Sequence, residues 1–277
     1  MAMHMAMEVD QADDPRLQAY TSIREKDLTS GHGARFIIEG KVTLETALRR
    51  GRFKLESLFL AASRLEPLAD LLAEVPADVP VYVAPQDVMD TVVGFPMHRG
   101  VLACGIKGEI PFPANFLDAD AKTGGPSTLL MLSGLSNHDN VGACFRNAAA
   151  FGADAVLMDG QCCDPLYRKA IRVSSGASLW LPYAHGGTGA DMVHAAQAAG
   201  YEVWAMTPRA KAQTLGTLRV PEKLAILLGA EGPGLPDDLI AAATPVRIPM
   251  SSGFDSVNVA TAGAITLAHV FGARESP

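Results

Sequence analysis

The segment LAILLGAEGPGL, residues 224–235, joins an uninterrupted apolar run to a turn with three glycines in six residues. A short run without polar alternation predicts a β-strand that is buried on both faces, which is typical of parallel sheets covered by helices. In such sheets, ligands bind beyond the carboxyl ends of the strands. The turn after Leu228 is therefore the first place where we expect a binding site.

This glycine-rich turn does not fit the dinucleotide-binding fingerprint. That fingerprint requires G-x-G-x-x-G at the first βα turn of a domain and an acidic residue at the end of the next strand. The spacing and the late position both differ here, which disfavours a nucleotide-dependent oxidoreductase. From the turn alone, Glu231 is explained equally well as a carboxylate that accepts backbone N–H groups and as a functional residue.

A second segment, NVGACFRNA at residues 140–148, opens a helix after a predicted strand that ends near Leu132. Asn140 suits the start of a helix, where its side chain can accept an unpaired backbone N–H, and Gly142 would allow a close approach of backbone or ligand. For Arg146, the spacing alone favours an ion-paired helical arginine over a functional one.

A third segment, IPMSSGFDSVNVA at residues 248–260, leads into a C-terminal helix that is rich in small residues. Ser256 is an acceptable residue for the start of that helix, and the small residues permit close packing. The periodicity does not say whether the helix packs on its own chain or on a second copy.

The strand and helix patterns fall into two groups, separated by a stretch in which proline and glycine accumulate. The first group alternates short strands and helices, as a small α/β domain does. The second has short apolar strands between helices, as a parallel sheet covered on both faces does. The sequence predicts a flexible N-terminal arm at 1–30, a small α/β domain at 31–107, a linker at 108–126 and a parallel-sheet domain at 127–277.

Composition disfavours several classes of protein. The 277 residues, 48% of them hydrophobic, suffice for two cores, and the net charge of −7 argues against nonspecific coating of nucleic acid. No apolar run approaches the roughly 20 residues that cross a bilayer, and the start of the chain lacks the layout of a signal peptide. The four cysteines lack the spacing of a zinc site. We therefore expect a cytoplasmic protein that binds no metal ion and does not associate with a membrane.

The three segments together resemble the SpoU/TrmH branch of the SPOUT RNA methyltransferases. The signatures of that family are N-x-G-x-x-x-R-x-A, G-x-E-G-x-G and I-P-M followed by S-x-N-V, and all three occur here in order. Their coincidence makes purely structural explanations of these residues minor ones. The stretch that begins FIIEGK at Phe36 also resembles the family's N-terminal domain, which is similar to the ribosomal L30/L7Ae RNA-binding fold.

The resemblance implies a fold, an assembly and a cofactor. The fold is α/β, with a C-terminal parallel-sheet domain threaded into a deep trefoil knot and a small N-terminal L30-like domain that binds the substrate. The assembly is a homodimer whose active site is completed across the subunit interface. The methyl donor is S-adenosylmethionine, held by Thr207, Gly229, Ile248 and Val257. The family usually has leucine in place of Val257, a conservative difference.

The implied reaction is methylation of a ribose 2′-hydroxyl in RNA, with ribosomal RNA favoured over transfer RNA. Arg146 matches the family arginine that binds phosphate and helps to activate the hydroxyl. Because a guanidinium is a weak base at neutral pH, we expect Arg146 to orient the nucleotide and stabilise the developing alkoxide. The other residues that the resemblance assigns to catalysis are Asn140, Glu231, Ser256 and Asn258.

Two basic segments are candidate contacts to RNA. Residues 35–54 carry six cationic side chains against two carboxylates, which suits a phosphate-binding stripe, although a solvated helix face explains the run equally well. A second cluster follows at 168–172. The candidate RNA-binding residues are Arg35, Lys41, Arg49, Arg50, Arg52, Arg168, Lys169 and Arg172.

Two alternatives within the same fold stay open. A non-catalytic RNA-binding or ribosome-assembly module would keep the architecture and lose the reaction. A base-methylating SPOUT enzyme would need a different catalytic acid and would lack this N-terminal domain. His98 and His138 have no predicted partner that would make them acid–base groups.

Overall fold

The computed structural model describes residues 6–23, 34–120, 125–253 and 256–275, with backbone only at 119 and 120. The chain divides into two compact units. The first unit comprises Met1–Glu109 together with Asp164–Trp180, and the second comprises Ile110–Cys163 together with Leu181–Pro277.

The strands and helices alternate along most of the chain. The strands, in chain order, are β1 (Met7–Glu8), β2 (Arg35–Glu39), β3 (Lys54–Ala61), β4 (Val81–Ala84), β5 (Val101–Ile106), β6 (Ser127–Ser133), β7 (Ala155–Met158), β8 (Tyr183–His185), β9 (Glu202–Met206), β10 (Gln213–Thr214), β11 (Lys223–Gly229) and β12 (Thr244–Arg247). The α-helices are α1 (Lys41–Arg50), α2 (Ala69–Leu72), α3 (Gln86–Val93), α4 (Pro113–Asp120), α5 (His138–Ala150), α6 (Arg168–Val173), α7 (Gly189–Ala198), α8 (Asp237–Ala241) and α9 (Val259–Glu275). Short 3-10 helices cover Pro15–Tyr20, Ala62–Arg64, Glu66–Leu68, Ala177–Leu179 and Leu215–Thr217.

Within the described residues, the first unit is built on a five-stranded mixed sheet with the order β1-β4-β3-β5-β2. Strand β4 runs parallel to β1 and β3, whereas β5 runs antiparallel to β2 and β3. The central strand β3 is buried from Ser57 to Ala61. Apolar side chains of α3 and of the N-terminal segment pack against this sheet.

The N-terminal segment belongs to the core of the first unit, so the predicted flexible arm is wrong for residues 6–23. Strand β1 pairs with β4, and the side chains of Leu17 and Tyr20 are fully buried. The Tyr20 hydroxyl donates a hydrogen bond of 2.9 Å to the carbonyl oxygen of Ser57. A two-residue strand and a 3-10 helix produce no helical or strand periodicity, which is why the sequence pattern missed the segment. The rest of the predicted arm lies outside the described residues.

Residues 164–180 join the first unit although they lie between two strands of the second. Helix α6 contacts β2, the Arg168 guanidinium donates to the Glu39 carboxylate at 2.5 Å, and the backbone N–H of Arg52 donates to the carbonyl of Leu179 at 3.0 Å. The sequence assigned this segment to the C-terminal domain because chain order alone carries no sign of such packing.

The second unit, over its described residues, contains a seven-stranded sheet with the order β10-β12-β9-β11-β6-β7-β8. Every strand pair in it is parallel. Strand β11 lies between β9 and β6, and its residues Leu224 to Leu228 are buried on both faces. The predicted α/β fold with a doubly covered parallel sheet is confirmed.

The predicted linker at 108–126 contains a folded helix. Helix α4 contacts α7 and β8, and Leu117 is buried in the core of the second unit. With only Phe116 and Leu117 as large apolar residues, the helix is too short to show a periodic pattern.

Helix α9 packs on its own chain, against α5 and β11. At Gly263 an added Cβ would lie 2.9 Å from the end of the Leu228 side chain, so a larger residue there would need that side chain to shift. The small residues of α9 therefore have an intramolecular role. In the part of the chain that the structure describes, no helix meets the length and apolarity needed to cross a membrane.

Replacement of Leu17 tests whether the N-terminal segment belongs to the core. We expect Leu17→Ala to lower the free energy of unfolding by about 2–5 kcal/mol, because it empties a fully buried position. The midpoint of urea denaturation at an unchanged m-value measures the loss. Asp13→Ala, at an exposed position of the same segment, is the control and should cost no more than about 0.5 kcal/mol. Equal midpoints for the two variants would mean that the segment is a flexible arm.

Candidate active site

A cavity of about 710 Å³ opens at the carboxyl ends of β9, β11 and β12. This is the edge of the sheet where ligands of parallel α/β folds bind. Its walls come from the residues that follow each of these strands and from the start of α9. Residues on the wall that no sequence motif singled out include Met206 and Pro208. Their position at or just after the end of β9 is the signal that would have found them.

All four residues predicted to hold the methyl donor line this cavity. Thr207 follows β9, and its backbone N–H donates to the carbonyl of Val246 at 2.9 Å. Gly229 ends β11 and Ile248 follows β12. Val257 lies just before α9, with its side chain 39% exposed. Residues far apart in the sequence are thus brought to one wall.

The glycine-rich turn after β11 folds back over the end of its own strand. The backbone N–H of Gly234 donates to the carbonyl of Ala230 at 3.1 Å, and Gly232 and Gly234 have φ of 85° and 71°, a region that favours glycine. At Gly229 the constraint is space, because an added Cβ would lie 2.5 Å from the backbone nitrogen of Leu235. The turn thus leaves bare backbone on the cavity wall.

The Asn258 side chain connects the three motif segments. Its Nδ2 donates to Glu231 Oε1 at 2.8 Å and to Asn140 Oδ1 at 3.0 Å. Its Oδ1 accepts from the backbone N–H groups of Ala260 at 2.9 Å and Thr261 at 3.3 Å. One side chain therefore caps α9 and holds one residue from each of the other two motifs.

Two expectations about helix caps are wrong. Asn137, not Asn140, caps α5, because its Oδ1 accepts from the backbone N–H of Asp139 at 2.8 Å. Asn140 is buried one turn further on. Asn258 caps α9, and Ser256 lines the cavity instead. Preference scales do not separate neighbouring Asn and Ser residues, because each of them can cap a helix.

Arg146 lies outside the cavity lining of its own chain. It is exposed on α5, and within the described residues its guanidinium has no ion pair or hydrogen bond. The ion-paired helical arginine that spacing alone favoured is therefore wrong. The adjacent Asn147 instead attaches α5 to α9, by donating to the carbonyl of Ala260 at 2.8 Å.

Three of the four cysteines are buried thiols of low reactivity. Burial raises the pKa of the Cys104 and Cys144 thiols to about 12 and raises that of Cys162 further, so these thiols are packing groups. Over the described ranges, no cluster of His, Cys, Asp and Glu could hold a metal ion.

The predicted RNA-binding residues all belong to the first unit, and they have different environments. Arg35 pairs with Glu56 at 2.5 Å, Arg49 with Glu45 and Glu74, and Arg168 with Glu39. The guanidinium of Arg50 lies 3.6 Å from the ring centre of Trp180, and that of Arg52 lies 5.2 Å from that of Phe53. Lys169 also has a noncovalent interaction within the chain. Lys41 and Arg172 line a second cavity, within the first unit.

Comparison with known proteins identifies the family. The SpoU rRNA Methylase family matches residues 127–268, a range that contains all three motif segments. This chain belongs to the SpoU rRNA methylase family. The resemblance that the motifs indicated is thereby confirmed.

Relatives and solved structures extend the likeness to almost the whole chain. An uncharacterized tRNA/rRNA methyltransferase of Mycobacterium tuberculosis is 40% identical over 91% of this chain and 87% of its own. The 23S rRNA (guanosine-2′-O-)-methyltransferase RlmB of Yersinia pestis is 28% identical over 84% of this chain and 96% of its own. The AdoMet-bound rRNA methyltransferase of Sinorhizobium meliloti superposes with a TM-score of 0.76 at 24% identity, covering 96% of this chain and 97% of its own.

Replacement of Gly229 tests the space at the end of β11. We expect Gly229→Ala to weaken S-adenosylmethionine binding about tenfold or more, since overpacking costs about 1–3 kcal/mol and the clash is with backbone. Isothermal titration calorimetry measures the dissociation constant. Gly216→Ala, where an added Cβ meets nothing within 4 Å, is the matched control and should bind normally. Normal binding by Gly229→Ala would show that the turn yields without cost.

Replacement of Asn258 separates its two roles. Serine can still cap α9 but cannot donate to Asn140 and Glu231. We therefore expect Asn258→Ser to lower the free energy of unfolding by about 1–3 kcal/mol, because the buried Oδ1 of Asn140 loses its donor. Asn258→Ala also loses the cap and should cost about 0.5–2 kcal/mol more. Urea denaturation measures both, with the exposed Asn115→Ser as control. Equal stability of the Ser and Ala variants would remove the capping role.

Proposed function

We propose that this protein transfers a methyl group from S-adenosylmethionine to a ribose 2′-hydroxyl of structured RNA, with ribosomal RNA as the substrate. The observation that carries the proposal is that residues of the second and third motifs line one cavity, and that Asn258 on its wall also holds Asn140 of the first motif. Relatives named as guanosine-2′-O-methyltransferases of 23S rRNA support both the ribose hydroxyl and the ribosomal substrate. Methylation of ribosomal RNA agrees with a cytoplasmic location.

The cavity fits the proposed methyl donor. Its volume of about 710 Å³ lies in the range of small-molecule sites. Ile248 and Val257 offer apolar surface to an adenine ring, and Gly229 leaves backbone groups open to the polar parts of the donor. When bound, S-adenosylmethionine supplies an electrophilic methyl group on a sulfonium. The similar rRNA methyltransferase of Sinorhizobium meliloti has AdoMet bound in its crystal structure, which supports the same cofactor here.

The chain's own residues have to place the ribose hydroxyl and receive its proton. The methyl transfer breaks a carbon–sulfur bond and forms a carbon–oxygen bond, and the hydroxyl proton leaves to an acceptor, so positioning is the main requirement. The Glu231 carboxylate lines the cavity with Oε1 held by Asn258. Within the described residues its other oxygen has no hydrogen-bond partner, so it is available to a ribose hydroxyl. Ser256 lines the same wall.

Arg146 serves the cavity of a second copy in this proposal. It is exposed, unpaired within the described residues and absent from its own cavity wall. Helix α9, which packs beside α5, presents Ile265 and Phe271 with 38% and 43% exposure, and such apolar side chains suit a homodimer interface. The arginine would hold a phosphate and stabilise the developing alkoxide. We also propose that the second unit contains the trefoil knot of the family fold.

Loss of Arg146 tests the reaction. We expect Arg146→Ala to lower methyl transfer about 100-fold or more, as removal of a transition-state donor does, while S-adenosylmethionine binding stays normal. The measurement is labelled methyl incorporation into unmodified 23S ribosomal RNA and into total transfer RNA, with resistance to alkaline cleavage showing a ribose product. Arg219→Ala, an exposed arginine of the same unit that lies outside the cavity, is the control. A wild-type protein that binds the donor and labels neither RNA would favour the non-catalytic module.

Mixing two impaired variants, at an S-adenosylmethionine concentration well below the dissociation constant of Gly229→Ala, tests the dimer. Arg146→Ala retains an intact cavity, and Gly229→Ala retains the arginine. If each site combines a cavity and an arginine from different copies, random exchange should restore about a quarter of wild-type activity, because half of the dimers are mixed and each has one complete site. Sedimentation of the wild-type protein gives the assembly size. No recovery on mixing, with exchange verified, would place Arg146 at the cavity of its own chain.

A further inference from the structure

We propose that the first unit binds one nucleotide of the RNA substrate in a cavity of its own. The proposal rests on the proposed function, because it concerns how the same RNA is held. The cavity measures about 590 Å³ and is formed by the turn between β2 and α1, the 3-10 helices after β3, the loop before β5 and the end of α6. All of its lining residues belong to the first unit.

The charge of this cavity selects an anion. Its described lining has one carboxylate, Glu39, and four cationic side chains. The whole chain carries a net charge of −7, so the concentration of positive charge is local. Cationic side chains converging on one cavity attract phosphate groups. The four cations are Lys41, Arg64, Arg99 and Arg172.

Lys41 and Arg172 are available to a ligand. Both side chains are exposed, and within the described residues neither has an ion pair or hydrogen bond. The Glu39 carboxylate is taken by Arg168 at 2.5 Å and has Arg99 at 3.9 Å, so it does not neutralise them. Arg35 and Arg49, by contrast, are paired with nearby carboxylates.

Arg64 is held in place in the cavity wall. Its Nη2 donates to the carbonyl of His98 at 3.0 Å, and Gly100, with φ of 61°, brings backbone close enough that a Cβ there would lie 3.2 Å from Arg64 Nε. This Nε is buried and lacks a hydrogen-bond partner among the described residues. A pre-positioned guanidinium also loses little freedom on binding.

The apolar part of the lining indicates a nucleotide rather than a phosphate ion. Val42, Leu68 and Val101 contribute to the walls, and the volume lies in the range of cavities that enclose small organic ligands. Nucleotides in loops and bulges of RNA can leave the stack and enter such cavities. We therefore assign the phosphate to Lys41 and Arg172, and the sugar and base to the apolar walls.

RNA binding by single-charge variants tests the proposal. The probe is unmodified 23S ribosomal RNA transcribed in vitro, and its dissociation constant is measured by filter binding over a range of salt concentrations without S-adenosylmethionine. We expect Lys41→Gln and Arg172→Gln each to weaken binding about tenfold and to reduce the salt slope by about one. In methyl transfer, KM should rise and kcat should stay near that of the wild type. Because both side chains are exposed, the thermal midpoint should not change.

Two other variants remove the same charge elsewhere in the first unit. Lys54→Gln removes an exposed cation of the basic run, and Arg16→Gln removes one that pairs with Asp14. Neither residue lines the cavity, so we expect changes in binding below about twofold. These variants separate a local site from a general electrostatic effect, which would act through net charge alone.

The outcomes separate this proposal from the proposed function. Equal losses in all four variants, or none in Lys41→Gln and Arg172→Gln, would overturn the nucleotide cavity while wild-type methyl transfer continues. Normal RNA binding by Lys41→Gln and Arg172→Gln would indicate that the cavity binds another anion, such as an acidic peptide. A wild-type protein that neither binds nor methylates the transcript would overturn the ribosomal substrate, and the cavity assignment with it.

Discussion

The side-chain amide of Asn258 is the interaction on which the rest of the candidate active site depends. An amide has a donor end and an acceptor end, and here both are used: the oxygen caps α9 and the nitrogen holds Asn140 and Glu231. A carboxylate could supply only the first function, and a hydroxyl could not reach all of these partners. The identity of this residue therefore positions the last helix, the glycine-rich turn and α5 relative to one another.

Close approach between backbone segments is the second constraint in the second unit. Gly229 lies under the turn that follows it, and Gly263 lies against Leu228 of the same strand. A side chain at Gly229 would meet backbone and push the turn away from β11, whereas a side chain at Gly263 would require the end of the Leu228 side chain to shift. Because the protein interior is packed as densely as a crystal, such displacement would open the cavity wall. The small residues of the motifs are thus a steric requirement as well as a place for a ligand.

The two units share the chain in a way that limits their independence. Helix α6 comes from a segment between β7 and β8, yet it supplies Arg168 to the nearly buried Glu39. A fragment that ended at Glu109 would leave this carboxylate with only the more distant Arg99, at 3.9 Å, and loss of the closer partner is costly for a buried charge. The first unit is therefore completed by residues that the chain order assigns to the catalytic half.

The sequence by itself determined the α/β class and the parallel strands, and its resemblance to the family supplied the cavity residues Thr207, Gly229, Ile248 and Val257. Strand burial and glycine turns depend on neighbouring residues, so they leave local patterns, and the three motifs mark the ends of the strands. Only the tertiary structure decided that residues 6–23 are core, that 164–180 join the first unit, and that Asn258 caps α9. These features depend on contacts between residues distant in the chain, and neither periodicity nor local preference carries information about such contacts.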